Sequence, residues 1–354
     1  MSHFDQNPFI VIWEVTRACA LKCLHCRAEA QYRRNPLELT TEEGRELIDS
    51  LREMGSPILV FTGGDPLMRV DLFELAAYAK EQGLHVSLTP SATPRVTPQA
   101  MRQAKEVGLD RWAFSLDGST AEIHDQFRGT SGSYNHTLRS IEYLQELDMP
   151  LQINTTVSKY NLADLSNLAK MMETMEVVLW GVFFLVPTGR GKEGDMISPE
   201  EHESVYHWLA DLSTRSSFDI KTTAAPPYRR VLIEKGVLSS TPRGSRGAGG
   251  SIRSTQGVND GNGFVFVSHT GDVYPSGFLP INCGNVRKQP LSEIYRQHPM
   301  FRALRDSEQL KGKCGVCEYR KICGGSRARA YALTDDPLAS DPTCTYLPVA
   351  QNSI

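Results

Sequence analysis

A regular alternation of short apolar runs with helical patterns constrains the fold of this chain more than any other feature. It extends from residue 8 to about residue 213 and contains six strand–helix units. The predicted strands lie at 9–15, 58–61, 86–88, 111–116, 151–157 and 178–186. Such alternation predicts parallel strands joined by crossover helices, and strands that are apolar throughout are typical of a sheet covered by helices. Periodicity alone leaves an open doubly wound sheet and an incomplete barrel as alternatives.

After residue 213 the character of the chain changes. Residues 239–263 are rich in serine, glycine and arginine, which predicts a linker or a mobile loop. Apolar runs at 264–267 and 273–274 flank a turn and predict a hairpin, and a helix is predicted at 291–305. We therefore expect an α/β domain at 1–213, a connecting segment at 214–262 and a smaller domain at 263–354.

Charge and hydropathy exclude several classes of function. Lysine and arginine total 38 against 41 aspartates and glutamates, so the formal net charge is −3 and no general basic field favours nucleic acid. The longest nearly apolar run, Val177–Pro187, is too short to span a bilayer, and the polar N-terminus does not have the pattern of a signal peptide. We expect a cytoplasmic protein without nucleic-acid or membrane partners.

The eight cysteines fall into two groups at opposite ends of the chain, which suggests two metal sites rather than a disulfide set. Cys19, Cys23 and Cys26 follow the first predicted strand, at the end of the sheet where parallel α/β folds carry their chemistry. Three thiolates hold either zinc, with His25 as a fourth ligand, or a four-iron cluster with one iron open to an amino acid. The spacing alone leaves both alternatives open.

The surroundings of these cysteines resemble the radical S-adenosylmethionine (SAM) superfamily. The resemblance rests on the Cys-x3-Cys-x2-Cys spacing, on Thr62–Pro66 after the second strand and on Ser115–Gly118 after the fourth. It implies a partial (β/α)6 TIM-like barrel that holds a 4Fe–4S cluster and S-adenosylmethionine. In the Gly-Gly-Asp-Pro turn, aspartate stands where the family usually has glutamate. The resemblance implies that the adenine of SAM lies near His25. The other residues that it implies for SAM binding are Gly63, Gly64, Asp65, Ser91, Ser115, Asp117, Arg128 and Asn154.

The second group of cysteines comprises Cys314, Cys317, Cys323 and Cys344. Four thiols fit a tetrahedral zinc or a fully ligated iron–sulfur cluster equally well by spacing. Behind a radical SAM barrel, however, this tail resembles the α+β SPASM/Twitch extension, which carries auxiliary 4Fe–4S clusters. Members with two auxiliary clusters have seven cysteines there, whereas this chain has Ser276 and Ser326 at two such places. We expect one auxiliary cluster, held by these four cysteines, with Cys283 left over.

The resemblance implies a reaction. A reduced cluster cleaves SAM to a 5′-deoxyadenosyl radical, which removes a substrate hydrogen, and the auxiliary cluster accepts an electron afterwards. No further catalytic residue is assigned, and the electron source is expected to be a reductant such as flavodoxin or ferredoxin.

The tail from Asn285 to Tyr331 resembles the haem-biosynthetic branch, which includes anaerobic haem synthase and the haem d1 maturation enzyme. That likeness implies oxidative decarboxylation of a tetrapyrrole such as iron-coproporphyrin. Side chains that could meet propionates or a haem iron are Arg229, Arg230, Arg327, Arg329, His269 and His298. The alternatives are crosslink or thioether formation in a ribosomally made peptide and, outside catalysis, a zinc-stabilised scaffold or an electron carrier.

Overall fold

The computed structural model describes residues 4–238 and 257–349. Within these ranges eleven strands form one sheet. They are β1 (Ile10–Glu14), β2 (Ile58–Thr62), β3 (Val86–Leu88), β4 (Arg111–Ser115), β5 (Leu151–Val157), β6 (Leu179–Phe184), β7 (Asp219–Thr223), β8 (Asn259–Asp260), β9 (Gly263–Val267), β10 (Asp272–Tyr274) and β11 (Gly284–Asn285).

The helices of the described residues follow the strands in sequence. They are α1 (Thr41–Glu53), α2 (Leu72–Glu81), α3 (Pro98–Val107), α4 (Ala121–Arg128), α5 (Ser133–Glu146), α6 (Leu165–Thr174), α7 (Pro199–Leu212), α8 (Pro227–Glu234), α9 (Leu291–Gln297), α10 (Pro299–Arg305), α11 (Gly312–Val316) and α12 (Arg327–Thr334). Across residues 4–238 and 257–349, no helix is long and apolar enough to cross a membrane.

The sheet is parallel and is not closed, as expected of the partial barrel that the resemblance implies. Strands β1 to β7 are parallel, and each pairs with the next in chain order. All six predicted strand–helix units are present. A seventh unit, β7 with α8, lies in the segment predicted only as a connection, and α4 was also not predicted. Of the predicted linker at 239–263, residues 239–256 lie outside the described residues, and the remainder contains β8 and the first residue of β9.

The C-terminal region continues the same sheet. Strand β9 pairs in parallel with β1, so that Ile10 lies opposite Phe264. Strands β9 and β10 form the predicted antiparallel hairpin, and β11 extends it. The region that carries the second group of cysteines is therefore attached to the barrel through β1, the first strand of the parallel series.

The two faces of the sheet have different environments. On one face Trp112 and Trp180 are fully buried in the main hydrophobic core. On the other, Ser115 and Asn154 are partly exposed and Lys221 is exposed. We call this second face the inner face. Solvent reaches this face, and the residues predicted from the sequence lie along it and at its carboxyl edge.

Candidate functional site

Cys19, Cys23 and Cys26 lie in the loop between β1 and α1, at the carboxyl end of β1. Cys19 and Cys23 are buried and Cys26 is partly buried, and the three share one small hydrophobic cluster with Leu21. Burial raises the pKa of the Cys19 thiol to about 11 and also raises that of Cys23. Because the thiolate is the form that binds metal, the Cys19 and Cys23 thiols both need positive charge nearby, which an iron cluster would supply.

The donor set of this loop consists of soft thiols, which hold either zinc or an iron–sulfur cluster. Within residues 4–238 and 257–349, no group of three or more His, Cys, Asp or Glu side chains is close enough to hold a single metal ion. The assignment of Cys19, Cys23 and Cys26 to a cluster stays a prediction.

The Gly63–Gly64 turn after β2 supports the cysteine loop directly. The amide of Gly64 donates to the carbonyl of Thr16 (2.8 Å), and the amide of Asp65 donates to that of Ala18 (2.7 Å). A Cβ on Gly63 would lie 2.5 Å from the Thr16 carbonyl oxygen, and one on Gly64 would lie 2.5 Å from that of Ala18. The close approach that these glycines allow here is to the chain's own backbone, and their contact with SAM stays a prediction.

This contact gives a first prediction. Gly64→Ala should destabilise the fold by about 1–3 kcal/mol, because the new methyl group meets rigid backbone rather than a flexible side chain. It should also lower the iron retained per chain, since the displaced backbone leads directly into Cys19. Urea unfolding and iron analysis measure the two effects.

Gly194→Ala is the matched control for Gly64→Ala, because nothing lies within 4 Å of a Cβ at that position. It should leave stability and iron content close to wild type. Equal behaviour of the two variants would contradict the supporting role of the turn.

Asp65 is fully buried, and its carboxylate is engaged within the protein. Thr93 Oγ1 donates to Oδ2 (2.6 Å), and the amide of Leu67 donates to Oδ1 (3.2 Å). Burial raises the pKa of Asp65 to about 6 despite these hydrogen bonds. Asp65 thus fixes the turn against the loop after β3, and its contact with the SAM amine stays a prediction.

Ser91, after β3, connects the same turn to the cysteines. Its hydroxyl donates to the Gly64 carbonyl (2.9 Å) and lies 3.6 Å from Cys19 Sγ. Ser91 therefore lies beside the first cysteine, and its contact with SAM stays a prediction.

Arg128 and Asp117 form an ion pair directly behind the second cysteine. Arg128 Nη2 lies 2.5 Å from Asp117 Oδ2, and Nη1 donates to Cys23 Sγ at 3.7 Å. The backbone amide of Thr156 donates to Asp117 Oδ1 (2.7 Å). Burial would lower the pKa of Arg128, but the Asp117 and Cys23 charges outweigh it and raise that pKa. The guanidinium therefore stays charged against the Cys23 thiolate, and its predicted contact with SAM is untested by this arrangement.

His25 lies in the cysteine loop, between the second and third cysteines. Its ring stacks on Phe127, with centroids 4.1 Å apart and planes 7° from parallel. Burial, followed by the charge of Arg128, lowers its pKa well below the usual value, so the ring is neutral. Stacking of the adenine near His25 remains a prediction.

The structure adds Arg190, after β6, to this site. Its amide donates to the Cys26 carbonyl (3.0 Å), and Gly189 packs so closely that a Cβ there would lie 2.6 Å from the same oxygen. Within the described part of the chain, Nε and Nη2 of Arg190 are buried without a hydrogen-bond partner. The Thr188–Gly191 turn after the sixth strand was the available signal, because it is a glycine-containing turn at the same edge of the sheet.

Ser115 and Asn154 lie on the inner face, in one row across the sheet. The register pairs Ser115 with Asn154 and Asn154 with Gly181. A Cβ on Gly181 would come within 2.4 Å of Asn154 Oδ1, so the glycine leaves room for that side chain. The two predicted SAM contacts are thus neighbours, several strands away from the cysteine loop in sheet order.

The four C-terminal cysteines converge. Cys314, Cys317, Cys323 and Cys344 line one pocket together with Arg230, Lys313, Tyr319 and Tyr346. The amide of Gly325 donates to Cys323 Sγ (3.4 Å), and Lys313 Nζ donates to the Cys344 carbonyl. Burial raises the pKa of Cys317, Cys323 and Cys344, so these thiols also need a cation to hold them as thiolates. Four thiols around one cavity fit a fully ligated cluster.

Three of the arginines proposed for propionates already have partners. Arg329 makes two bonds to Asp341 (3.0 and 2.7 Å), and Arg230 pairs with Glu203 (2.6 Å) and Glu234 (2.8 Å). Arg327 donates to the carbonyls of residues 325, 337 and 339 and lies 3.8 Å from Cys314 Sγ. These side chains hold together the loops that carry the C-terminal cysteines. Among the described residues, Arg229, the fourth arginine proposed for propionates, has no such ion pair.

The two histidines proposed for a haem iron are also engaged. His269 Nδ1 donates to buried Glu14 (3.0 Å), and Nε2 accepts from the side-chain amide of Asn35 (3.3 Å). His298 Nδ1 accepts from the amide of Met300 (3.2 Å) and caps α10. Cys283 is buried in the main core, with its thiol directed at the Ile281 carbonyl (3.4 Å), and belongs to neither cysteine group.

Comparison with known proteins decides the family. Residues 13–172 match the radical SAM superfamily. Over 341 residues the chain is 43% identical to the AdoMet-dependent heme synthase of Methanosarcina barkeri, which covers 96% of this chain and 97% of the relative. The chain belongs to the radical SAM superfamily.

Further matches of this radical SAM enzyme extend to the C-terminal region. Residues 259–318 match the SPASM iron–sulfur cluster-binding domain, which includes Cys314 and Cys317. The AdoMet-dependent heme synthase of Nitratidesulfovibrio vulgaris is 44% identical over 344 residues, 96% of this chain and 92% of the relative. Streptococcus suis SuiB bound to its precursor peptide SuiA has the same fold, with a TM-score of 0.73 and 14% sequence identity. The match covers 96% of this chain and 76% of that chain.

Membership fixes the cofactors. A radical SAM domain implies a 4Fe–4S cluster and SAM, and the SPASM match indicates auxiliary iron–sulfur ligation. The cysteine residues that we assign to each cluster remain predictions.

Proposed function

We propose that this radical SAM enzyme oxidatively decarboxylates propionate side chains of an iron-coproporphyrin. The observation that carries the proposal is the similarity to AdoMet-dependent heme synthases, at 43% identity over nearly the whole length of both chains. Two groups of thiols support the proposal, one in the barrel and one in the C-terminal tail, because clusters held there would supply the radical and the electron acceptor that such a net oxidation requires.

The cluster and SAM supply the hard step: when bound, they deliver a 5′-deoxyadenosyl radical that removes one hydrogen atom. Cys19, Cys23 and Cys26 would hold the barrel cluster. Arg128, fixed by Asp117, keeps positive charge against Cys23, and Ser91 lies beside Cys19. The remaining SAM contacts would come from Gly63, Gly64, Asp65, Ser115 and Asn154.

The decarboxylation balances with one electron left over. A propionate that loses a hydrogen atom from its ring-attached carbon gives a vinyl group when it releases CO2 and one electron. Cys314, Cys317, Cys323 and Cys344 would hold the centre that accepts this electron. Arg327, which donates to Cys314 Sγ, helps to hold negative charge there. A small electron-transfer protein such as flavodoxin or ferredoxin would supply the first electron.

The second candidate is modification of a ribosomally made peptide. It is favoured by the fold shared with SuiB in complex with its precursor peptide. At 14% identity that likeness extends to the fold alone, whereas the similarity to the heme synthases covers the sequence.

The test is turnover by the anaerobically reconstituted enzyme. Incubation with Fe-coproporphyrin III, SAM and a reductant should give a tetrapyrrole with two vinyl groups in place of two propionates. Two molecules of 5′-deoxyadenosine should form per product, as measured by mass spectrometry and chromatography. SAM cleavage that leaves the tetrapyrrole intact would contradict the proposal and favour a peptide substrate.

A further inference from the structure

One buried carboxylate at the carboxyl edge of the sheet takes no part in the chemistry described above. Glu14 is the last residue of β1 and is fully buried. Its Oε1 accepts from Arg17 Nε (3.2 Å) and from His269 Nδ1 (3.0 Å), and its Oε2 accepts from Arg27 Nη1 (3.0 Å). Removing charged groups from water is costly, and a buried ion pair adds little net stability, so a group of this kind calls for a role in fixing geometry.

The two arginines that Glu14 holds flank the cysteine motif. Arg17 lies two residues before Cys19, and Arg27 directly follows Cys26. One carboxylate therefore connects the segment that enters the cysteine loop to the segment that leaves it. Because all three thiols lie between these two contacts in the chain, Glu14 limits how far the loop can open.

Backbone hydrogen bonds hold the same loop, but they do so unequally at its two ends. The amide of Cys19 donates to the Gln31 carbonyl (2.8 Å), which fixes the loop on the side of its first cysteine. On the side of the last cysteine, the amide of Arg190 donates to the Cys26 carbonyl (3.0 Å), and the next residue, Arg27, is held by its side chain. Of these contacts, only the one through Arg27 depends on charge.

The C-terminal region also contacts the Arg27 side chain. The guanidinium carbon of Arg27 lies 4.3 Å from the ring centroid of Phe266 on β9, a cation–π contact. A Cβ on Gly277 would lie 2.9 Å from Arg27 Nε, so a side chain at that position would crowd the guanidinium. Arg27 is therefore enclosed between Glu14 of the barrel and a wall that the C-terminal region supplies.

The C-terminal region reaches Glu14 itself through His269, in the turn between β9 and β10. The backbone carbonyl of His269 accepts from the amide of Leu39 (2.8 Å), and its Nε2 accepts from the side-chain amide of Asn35 (3.3 Å). Both partners lie between the cysteines and α1. The position of the Glu14 carboxylate thus depends on a fixed residue that is 255 positions away in the chain.

Glu14 carries the negative charge of this group. Burial acts to raise the pKa of Glu14, but the charge of Arg27 and the hydrogen bond from His269 outweigh it and lower that pKa. Within residues 4–238 and 257–349, Arg17 and Arg27 form an ion pair with no other carboxylate. A neutral side chain in place of Glu14 would therefore release both arginines.

We infer that Glu14 is a positioning residue for the barrel cluster. Through Arg27 it holds the segment that leaves the cysteine loop, and through His269 it makes that hold depend on the C-terminal region. The inference rests on the radical SAM family and on the assignment of the three cysteines. It goes beyond the proposed function, because it does not depend on the identity of the substrate.

The test is a chelator titration of the anaerobically reconstituted enzyme. Added SAM should change the electron paramagnetic resonance signal of the reduced barrel cluster and not that of a fully ligated cluster, because only the barrel cluster leaves an iron open. The measured quantity is the chelator concentration that removes half of this SAM-responsive signal. Glu14→Gln should lower that concentration by about 10-fold, the lower end of the effect of losing an outer contact of a metal site, since Glu14 acts through Arg27.

Glu14→Asp separates charge from packing. It keeps the carboxylate but is one carbon shorter, so its half-loss concentration should lie between those of wild type and Glu14→Gln. A role in packing alone gives the opposite order, because glutamine has the size of glutamate and aspartate does not. That opposite order would overturn the inference.

His269→Ala tests the contribution of the C-terminal region. It should lower the half-loss concentration as well, and His269→Asn, which keeps a hydrogen-bond donor on a short side chain, should restore part of the loss. An unchanged titration of His269→Ala would contradict the dependence on the C-terminal region. Thermal unfolding checks each variant, and if Glu14→Gln does not fold, the two histidine variants decide the inference.

Asp110→Asn is the matched control. Asp110 accepts from Lys80 Nζ (2.7 Å) and from the amide of Val86 (2.7 Å) at the amino edge of the sheet, opposite the cysteine loop. The variant loses an ion pair as Glu14→Gln does, but it should keep the wild-type titration. Equal losses in Asp110→Asn and Glu14→Gln would show a general effect on stability and would overturn the inference.

Discussion

Cys23→Ala is expected to abolish the reductive cleavage of SAM, with 5′-deoxyadenosine formation falling by more than about 100-fold. Changes to the residues around metal ligands already cost about 10- to 100-fold, and here a ligand itself is lost. Cys23 is also the thiol that Arg128 contacts, so its removal leaves the Arg128–Asp117 pair without the charge it faces. Chromatography of the products and electron paramagnetic resonance of the reduced protein measure the loss.

Cys283→Ala is the matched control for Cys23→Ala. Cys283 is equally buried, but it lies in the main core and away from both cysteine groups. The control should keep its iron and its SAM cleavage, with only a modest loss of stability. Unchanged deoxyadenosine formation in Cys23→Ala would contradict the assignment of the barrel cluster.

Cys317→Ala is expected to separate the two halves of the reaction. Loss of one of the four thiols around the C-terminal pocket should remove the electron acceptor, so product formation should fall by more than about 100-fold. SAM cleavage at the barrel should persist, uncoupled from product, because the two sites use different cysteines. The measured quantity is the ratio of deoxyadenosine to decarboxylated product.

Val316→Ala, at the neighbouring exposed position, controls for local disturbance of α11. It should turn over substrate as wild type does. Normal product formation in Cys317→Ala would show that the tail site is structural and takes no part in electron transfer.

The barrel was predictable because each of its first six strands is a compact apolar run followed by a helix with clear start and stop signals. Thr40 and Glu43 form a capping box at the start of α1, and Gly108 ends α3 in the left-handed conformation. Strand β7 escaped prediction because Asp219–Thr223 contains one apolar residue, Ile220. Strand β7 forms because the edge of β6 offers hydrogen bonds to it. The local sequence pattern does not show that such an edge is present.

The same limit explains what was missed at the site. The cysteines, the Gly-Gly turn and Ser115–Gly118 stand out because they are short motifs at strand ends. Lys221 lies on the unpredicted strand, and only the sheet register places it in one row with Ser115 and Asn154. Conversely, Arg329 seemed available for a substrate because its partner Asp341 lies in an irregular loop.

The most direct test of the central claim is iron, acid-labile sulfide and zinc per chain in protein purified and reconstituted without oxygen. Two thiolate-held four-iron clusters predict about eight irons and about eight sulfides, with no zinc. About four irons with one zinc would contradict the account, because the C-terminal thiols would then be structural and the electron from decarboxylation would have no acceptor in the chain.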